Sequence, residues 1–184
     1  MTIYRCISAD PPWKFGDKLP GKTRGAEKNY PCMTLRELKD MRSLPLFDSF
    51  AEDAFLWLWR VGAMQSEALE LADAWGFNPP TSEIVWVKMT DDGSRPRIGM
   101  GRTVRNCHEV ALLCKRGRPA VDSHSVPSVV FAPRGRHSAK PQAFYDAVER
   151  LCPGPRLELF ARAPRPGWDV WGNEVSDGPT PTPA

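Results

Sequence analysis

Apolar residues along this chain fall into short runs that are separated by polar segments containing glycine and proline. The run at 54–59 is apolar throughout, which is typical of a strand buried on both faces in a parallel sheet. The run at 3–8 alternates between two faces, as a strand does. By the same reasoning, further strands are predicted at 83–88, 107–114, 126–131, 156–160 and 168–171.

Three other segments have the spacing of amphipathic helices. The first is a short helix over about 34–42, because Thr34 is followed three residues later by Glu37 and the two form a capping box. The second spans 62–75 and is followed by a glycine. The third opens at 138–141, where a proline suits the first turn. The apolar faces of the second and third helices consist of Met64, Ala68, Leu71 and Trp75, and of Phe144, Val148 and Leu151.

Strands and helices alternate along the chain, with no internal repeat and no sign of a domain boundary. This order predicts one three-layer α/β domain with a mostly parallel sheet over residues 1–175. Residues 176–184 consist almost entirely of Ser, Asp, Gly, Pro and Thr, so they are predicted to form a disordered tail.

The composition is that of an ordinary globular protein, and it does not by itself identify a binding partner. The chain has 184 residues, of which 41% are hydrophobic, and a formal net charge of +3. It has no run long enough to span a membrane and no basic-then-apolar leader, so we expect a cytoplasmic protein with no membrane partner. The five cysteines form no CxxC pair and the three histidines have no metal-ligand spacing, so we expect no structural metal. The oligomeric state stays open.

The distribution of charge points to a polyanionic partner. Two polar segments are strongly basic, 14–28 and 93–118, and the second carries a single acidic residue, Glu109. Basic segments on either side of an aromatic-bearing loop suit nucleic acid, although a solvated surface is the alternative for either segment alone. The basic residues are Lys14, Lys18, Lys22, Arg24 and Lys28, and Arg95, Arg97, Arg102, Arg105, Lys115, Arg116 and Arg118.

The first predicted strand ends abruptly at Asp10, Pro11, Pro12 and Trp13. Two consecutive prolines make a stiff loop, and in open α/β sheets the carboxyl ends of the strands are where ligands bind. The Asp10 carboxylate and the Pro11 carbonyl could accept both hydrogens of an exocyclic amine such as adenine N6, while Trp13 offers a face for the base. The alternative is a strand-ending turn with a buried tryptophan.

With these segments in place, the chain resembles the MT-A-type adenine-N6 methyltransferases, the family of the catalytic subunit that methylates mRNA. The resemblance covers about residues 3–175 and rests on separate motifs in the family's order. These are ADPPW at 9–13, NYPCM at 29–33, IVWVK at 84–88, GRTVRNCHE at 101–109, RHSAKP at 136–141, LELFAR at 157–162 and WGNE at 171–174.

The resemblance implies a Rossmann-like methyltransferase fold that uses S-adenosyl-L-methionine, with the catalytic strand before the cofactor-binding strand. That order accounts for the lack of a GxGxxG motif after the first strand. A compact domain of this kind resembles the stand-alone bacterial and phage members, which implies DNA as the substrate, with RNA as the other possibility. The implied catalytic residues are Asp10, Pro11, Pro12 and Trp13.

The implied cofactor residues lie mostly in the second half of the chain. The resemblance places Lys140 at the methionine carboxylate and Arg162 and Asn173 at the ribose hydroxyls. Each of them also fits a structural role, as a helix-start residue, a surface arginine and a turn residue. Glu158 also fits a strand residue that faces a basic neighbour. The full implied set is Asp10, Lys140, Glu158, Leu159, Phe160, Arg162, Asn173 and Glu174.

The implied substrate residues are Tyr30, Lys88, Arg102 and Glu109. Tyr30 and Arg102 map to two loops that close over the target adenine in the family. Glu109 also fits an ion pair with Arg105 or Arg102. Two other functions compete with adenine methylation: a catalytically inactive nucleic-acid-binding subunit of the same fold, and methylation of cytosine N4. The intact Asp and Trp of the first loop argue against both.

Overall fold

Seven strands form one twisted sheet within residues 2–14, 31–99, 103–135 and 139–175, the part of the chain that the computed structural model describes. The strand order is β5-β3-β4-β2-β1-β6-β7, and six strands are parallel while β4 runs against them. The prediction of a mostly parallel sheet in an α/β domain is therefore confirmed. The strands are β1 (Tyr4–Ala9), β2 (Phe50–Arg60), β3 (Ser82–Met89), β4 (His108–Arg116), β5 (Val129–Pro133), β6 (Arg156–Leu159) and β7 (Asp169–Trp171).

Strand β2 begins earlier than its apolar run suggests. The Phe50 end pairs with Tyr4 of β1, and a bulge shifts the register before Cys6 meets Phe55. Its apolar half is buried on both faces, as predicted. Only one neighbour is parallel, however, because β4 packs antiparallel on its other side.

Helices cover both faces of this sheet, so the three layers are as predicted. Helices α1 (Leu35–Asp40) and α2 (Gln65–Ala74) pack over one face, and α3 (Gln142–Leu151) packs over the other. The capping box of α1 is present, with the Thr34 side chain and the Glu37 side chain each bonded to the other's backbone. Helix α3 begins one residue later than expected, since Pro141 is its N-cap rather than a first-turn residue.

The strand order creates a potential binding crevice at the carboxyl ends of the strands. From β1 the chain continues to β2 on one side, whereas β6 and β7 lie on the other side, so the strand order reverses at β1. In open α/β sheets a crevice opens at such a switch point, beyond the carboxyl ends of the strands. Asp10 follows β1 directly at this position.

Several expectations concern residues outside the described ranges or were based on composition. Residues 15–30, 100–102, 136–138 and 176–184 lie outside those ranges, including Tyr30, Arg102 and the predicted tail. In the ranges given above, no helix is long and apolar enough to cross a membrane. The same ranges contain no group of three or more His, Cys, Asp or Glu side chains suited to a metal ion.

Candidate active site

The loop after β1 is held against the sheet by backbone hydrogen bonds. The Trp13 N–H donates to the Pro11 carbonyl at 2.8 Å, closing a tight turn around the second proline. The Met33 N–H donates to the Pro12 carbonyl at 2.8 Å, and the Lys14 N–H donates to the Met33 carbonyl at 2.9 Å. The stiff loop that the two prolines predict is therefore pinned from both sides. The Pro11 carbonyl already accepts one bond, which leaves its second lone pair for a substrate amine.

Trp13 anchors this loop to the neighbouring strand. Its indole N–H donates to the Trp59 carbonyl at 3.1 Å, and only 4% of the residue is exposed. The sequence left open a buried tryptophan or a base-stacking one, and the burial agrees with the first role. Trp13 still lines the cavity described below, so contact between its edge and a base remains a prediction.

A chain of alternating charges crosses the carboxyl edge of the sheet. The Lys140 ammonium lies 2.8 Å from Asp10 Oδ2 and 2.9 Å from Glu109 Oε2, and the Lys140 side chain is only 9% exposed. Lys88 Nζ lies 2.5 Å from Glu109 Oε1. Lys140 Nζ also stands 4.8 Å from the centre of the Trp59 ring, within range of a cation–π contact. Residues that lie on β3 and β4, just after β1 and just before α3 thus meet at one point.

This pairing favours the charged forms of Lys140 and Glu109. Burial alone would lower the pKa of Lys140, but the Asp10 and Glu109 carboxylates raise it above its ordinary value. Burial likewise acts to raise the pKa of Glu109, and the ammonium groups of Lys140 and Lys88 overcome it, so the pKa of this carboxyl is lowered. The Glu109 partners are therefore lysines, not Arg105 as the sequence allowed.

A cavity of about 280 Å³ opens above this ion network. Acidic, basic and aromatic side chains converge in its wall, as expected of a reaction site rather than a packing defect. The residues in its wall include Asp10, Pro11, Trp13, Trp59, Arg60, Lys88, Asn106, His108, Glu109, Lys140 and Arg162.

A second cavity, of about 140 Å³, lies on the β6 and β7 side of Asp10. It shares Asp10 and Arg162 with the first. Four of the implied cofactor residues, Asp10, Arg162, Asn173 and Glu174, supply its polar groups, and Pro12, Phe160 and Trp171 supply apolar wall. The rings of Phe160 and Trp171 are in edge contact, with centroids 5.9 Å apart.

Close backbone packing shapes this second cavity. A Cβ added to Gly172 would lie 2.3 Å from the Ala161 carbonyl oxygen. Only glycine therefore fits directly after β7, where the chain lies against the segment that follows β6. Phe160 adopts a positive φ of 61°, which is uncommon for a residue other than glycine and is often found at functional sites.

Two of the implied cofactor residues face elsewhere. The Leu159 side chain is fully buried in the core. Glu158 turns towards α3, where it accepts a 2.6 Å hydrogen bond from the Tyr145 hydroxyl and lies 3.5 Å from Arg165 Nε. This is the pairing with a basic neighbour that the sequence left open. Burial raises the pKa of Glu158 despite these partners.

The structure adds residues that sequence reasoning missed. Trp59 and Arg60 line the first cavity, and Tyr145 and Arg165 form the surroundings of Glu158. Trp59 and Arg60 were open to inference, since they end a predicted strand at the ligand-binding edge. Nothing in the local sequence indicated Tyr145 and Arg165, because they reach Glu158 of β6 from α3 and from the connection between β6 and β7.

Known proteins resemble the chain over almost its whole length. Residues 4–174 match the MT-A70 family. The type II methyltransferase M.MunI from a Mycoplasma species is 30% identical, and the match covers 95% of this chain and 78% of that protein. The N(6)-adenosine-methyltransferase subunit METTL3 of Danio rerio is 29% identical over 94% of this chain, and an MT-A70-like N(6)-adenosine-methyltransferase of Arabidopsis thaliana is 30% identical over 96%. The match spans only 28% and 24% of those two proteins.

Proposed function

Because the chain belongs to the MT-A70 family and is a methyltransferase, we propose that it transfers a methyl group from S-adenosyl-L-methionine to N6 of adenine in nucleic acid. One observation carries this proposal: Asp10 borders both cavities at the switch point of the sheet. A methyl donor in the smaller cavity and an amine in the larger one would meet at its carboxylate.

The residues of the smaller cavity suit the proposed donor. Phe160 and Trp171 offer apolar contact for a nucleoside, while the Asn173 amide and the Glu174 carboxylate can bind hydroxyl groups. Arg162 and Lys140 can bind a carboxylate at the junction of the two cavities. When bound, S-adenosyl-L-methionine would supply an electrophilic methyl group.

Asp10 has a defined task in this reaction. One of its oxygens is held by Lys140, so the other can accept a hydrogen bond from the N6 amine. The Pro11 carbonyl is the second acceptor, and together the two favour a pyramidal, more nucleophilic nitrogen. Asp10 is also the group positioned to receive the proton that N6 loses after methylation.

Lys140 and Glu109 support this carboxylate. The Lys140 ammonium lies 2.8 Å from Asp10 Oδ2 and holds this carboxylate in place at the end of β1. Glu109 and Lys88 in turn fix the position of Lys140, and both line the cavity assigned to the target base. Lys88 and Glu109 therefore belong to the wall that the adenine meets.

DNA is favoured over RNA as the substrate. The match to M.MunI, a type II methyltransferase, covers most of both proteins, whereas the matches to the two N(6)-adenosine-methyltransferases cover less than a third of those chains. The alternative is an inactive nucleic-acid-binding subunit. The intact loop and the complete ion network around Asp10 favour the enzyme.

The test is incubation of the protein with radiolabelled S-adenosyl-L-methionine and defined DNA and RNA oligomers, followed by digestion to nucleosides. We expect label in N6-methyldeoxyadenosine, and more of it from DNA than from RNA. Label in N4-methylcytosine, or binding of oligomers without any transfer, would overturn the proposal.

A further inference from the structure

Arg60 ends β2 and lines the larger cavity, and the family resemblance assigns it no role. Its Nε is buried and has no hydrogen-bond partner among the described residues. Those residues also pair no carboxylate with its guanidinium group. The residue as a whole is half-buried, and a buried N–H donor without an acceptor is unfavourable, so a ligand that supplies an acceptor would be favoured here.

The neighbouring lysines of this cavity are already engaged. Lys88 is paired with Glu109, and Lys140 is paired with both Glu109 and Asp10. The cavity wall carries four cationic side chains, Arg60, Lys88, Lys140 and Arg162, against the two carboxylates. The excess of positive charge favours an anionic ligand, and Arg60 is well placed to meet it.

The side from which Arg60 projects separates it from α3 and from the smaller cavity. Side chains alternate along β2, and the Trp59 ring packs against Phe144 of α3, with ring centroids 4.6 Å apart. Arg60 therefore projects from the opposite face, the one that carries Leu58 and the buried Trp13. It does not line the smaller cavity, which lies beyond β1 on the β6 and β7 side.

We propose that Arg60 binds a backbone phosphate of the target strand, next to the nucleotide whose base enters the larger cavity. A planar guanidinium can bind two phosphate oxygens at once, which fixes both position and orientation. This inference rests on the proposed function and names a substrate-binding residue for it. Because the phosphate is bound before and during the reaction alike, Arg60 affects KM more than kcat.

The experiment combines variants of Arg60 with oligonucleotides in which one phosphate at a time is replaced by a neutral methylphosphonate. Binding is measured by fluorescence anisotropy, methyl transfer by label, and cofactor affinity by calorimetry. Arg60→Gln removes the charge and Arg60→Lys retains it. The matched control is Arg36→Ala, because Arg36 lies on α1 with 92% of its side chain exposed.

For Arg60→Gln we expect a rise in KM for the oligonucleotide of at least about tenfold, little change in kcat and unchanged cofactor affinity. One methylphosphonate position should weaken binding by the wild type and not by Arg60→Gln. The slope of log affinity against log salt should fall by roughly 0.7–0.9, as for one lost phosphate contact. Arg60→Lys should recover part of the affinity, and Arg36→Ala should match the wild type.

Two results would overturn the inference. In the first, no single methylphosphonate substitution weakens binding of the oligonucleotide by the wild-type protein. This result can be obtained without any variant. In the second, Arg60→Gln leaves the affinity for the oligonucleotide unchanged or weakens the affinity for the cofactor. Weakened cofactor affinity would assign Arg60 to the cofactor carboxylate instead. Failure of the proposed function looks different: the wild type would then bind oligonucleotides through this phosphate without transferring label to adenine.

Discussion

At the scale of single residues, Lys140 is central because it joins the two halves of the site. Its ammonium lies between Asp10 of the first loop and Glu109 of β4, and Lys140 itself stands just before the N-cap of α3. The resemblance assigns it to the methionine carboxylate, and the structure shows it bound to protein carboxylates. An ammonium has three donor hydrogens, so with two directed at Asp10 and Glu109 one remains for the carboxylate of the cofactor.

Lys140→Ala and Asn173→Ala are each predicted to weaken binding of S-adenosyl-L-methionine without unfolding the domain. Loss of a charge-assisted hydrogen bond costs roughly 1.5–3 kcal/mol, which calorimetry resolves easily. Lys39→Ala is the control, since Lys39 pairs with Glu70 away from both cavities. Unchanged cofactor affinity in both variants would mean that the cofactor half of the site is misassigned.

Glu109 gives the ion network a pH signature. The pKa of Glu109 in the folded protein lies below the ordinary value of about 4.3. Its ionised form therefore stabilises the fold at any pH above the ordinary pKa. This stabilisation is lost as the pH falls through the folded-state pKa. The free energy of unfolding of the wild type should therefore exceed that of Glu109→Gln near pH 7, and the difference should shrink below about pH 4. Urea denaturation at several pH values measures it, and a difference that does not change with pH would contradict the ion pairing.

At the scale of elements, the site depends on how closely β6 and β7 approach each other beyond the switch point. The Ala161 N–H donates to the Trp171 carbonyl at 3.0 Å, which draws the ends of the two strands together. Gly172 allows this approach, and Phe160 turns into the second cavity on the same segment.

Gly172→Ala is predicted to reduce cofactor affinity at least about tenfold, because its Cβ would lie 2.3 Å from the Ala161 carbonyl oxygen and the segment would have to move. Gly62→Ala is the matched control for cofactor affinity, since a Cβ there meets no atom within 4 Å. Calorimetry reports affinity and thermal unfolding reports stability. Equal cofactor affinity in Gly172→Ala and the wild type would remove this segment from the cofactor site.

Elements were predictable where a local pattern decides them. The capping box at Thr34 and the apolar faces of the second and third helices were confirmed because helix ends and faces depend on residues three or four positions apart. The start of β2 was not predictable, because Phe50 joins the strand by pairing with β1.

The partners within the site were also beyond local reasoning. Glu109 meets Lys88 and Lys140 because β4 inserts between β2 and β3, which no periodicity in the sequence reveals. A tryptophan at position 13 suits burial and base stacking equally well. The hydrogen bond from its indole N–H to the Trp59 carbonyl, which the sequence does not reveal, favours burial.

At the scale of the whole molecule, the charge distribution decides how nucleic acid is approached. Arg95 and Arg97 lie on the exposed connection between β3 and β4, on the same sheet edge as the larger cavity. Arg97 is partly neutralised by Asp91 at 3.2 Å. Lys22, Arg24, Lys28 and Arg102, which we also expect to contact phosphates, lie outside the described residues.

Phosphate contacts without reading of base edges give salt-sensitive binding, and adenine N6 in a duplex is reached only by flipping the base. We therefore predict that activity falls steeply between low and moderate salt, and that unpaired or mismatched adenines react faster than paired ones. The double variant Arg95→Ala with Arg97→Ala should raise KM more than it lowers kcat. Equal rates on matched duplex and single strand, without salt dependence, would point to a dedicated duplex reader.

The central claim is that methyl donor and target amine meet at Asp10, and Asp10→Ala tests it most directly. Single-turnover methyl transfer and cofactor affinity are measured side by side on this variant, with Asp73→Ala, an exposed position on α2, as the control. Because the carboxylate acts on the reacting amine, we predict that transfer falls by about a hundredfold or more while cofactor affinity stays within a few-fold. A variant that retains a tenth of the wild-type rate would contradict the claim.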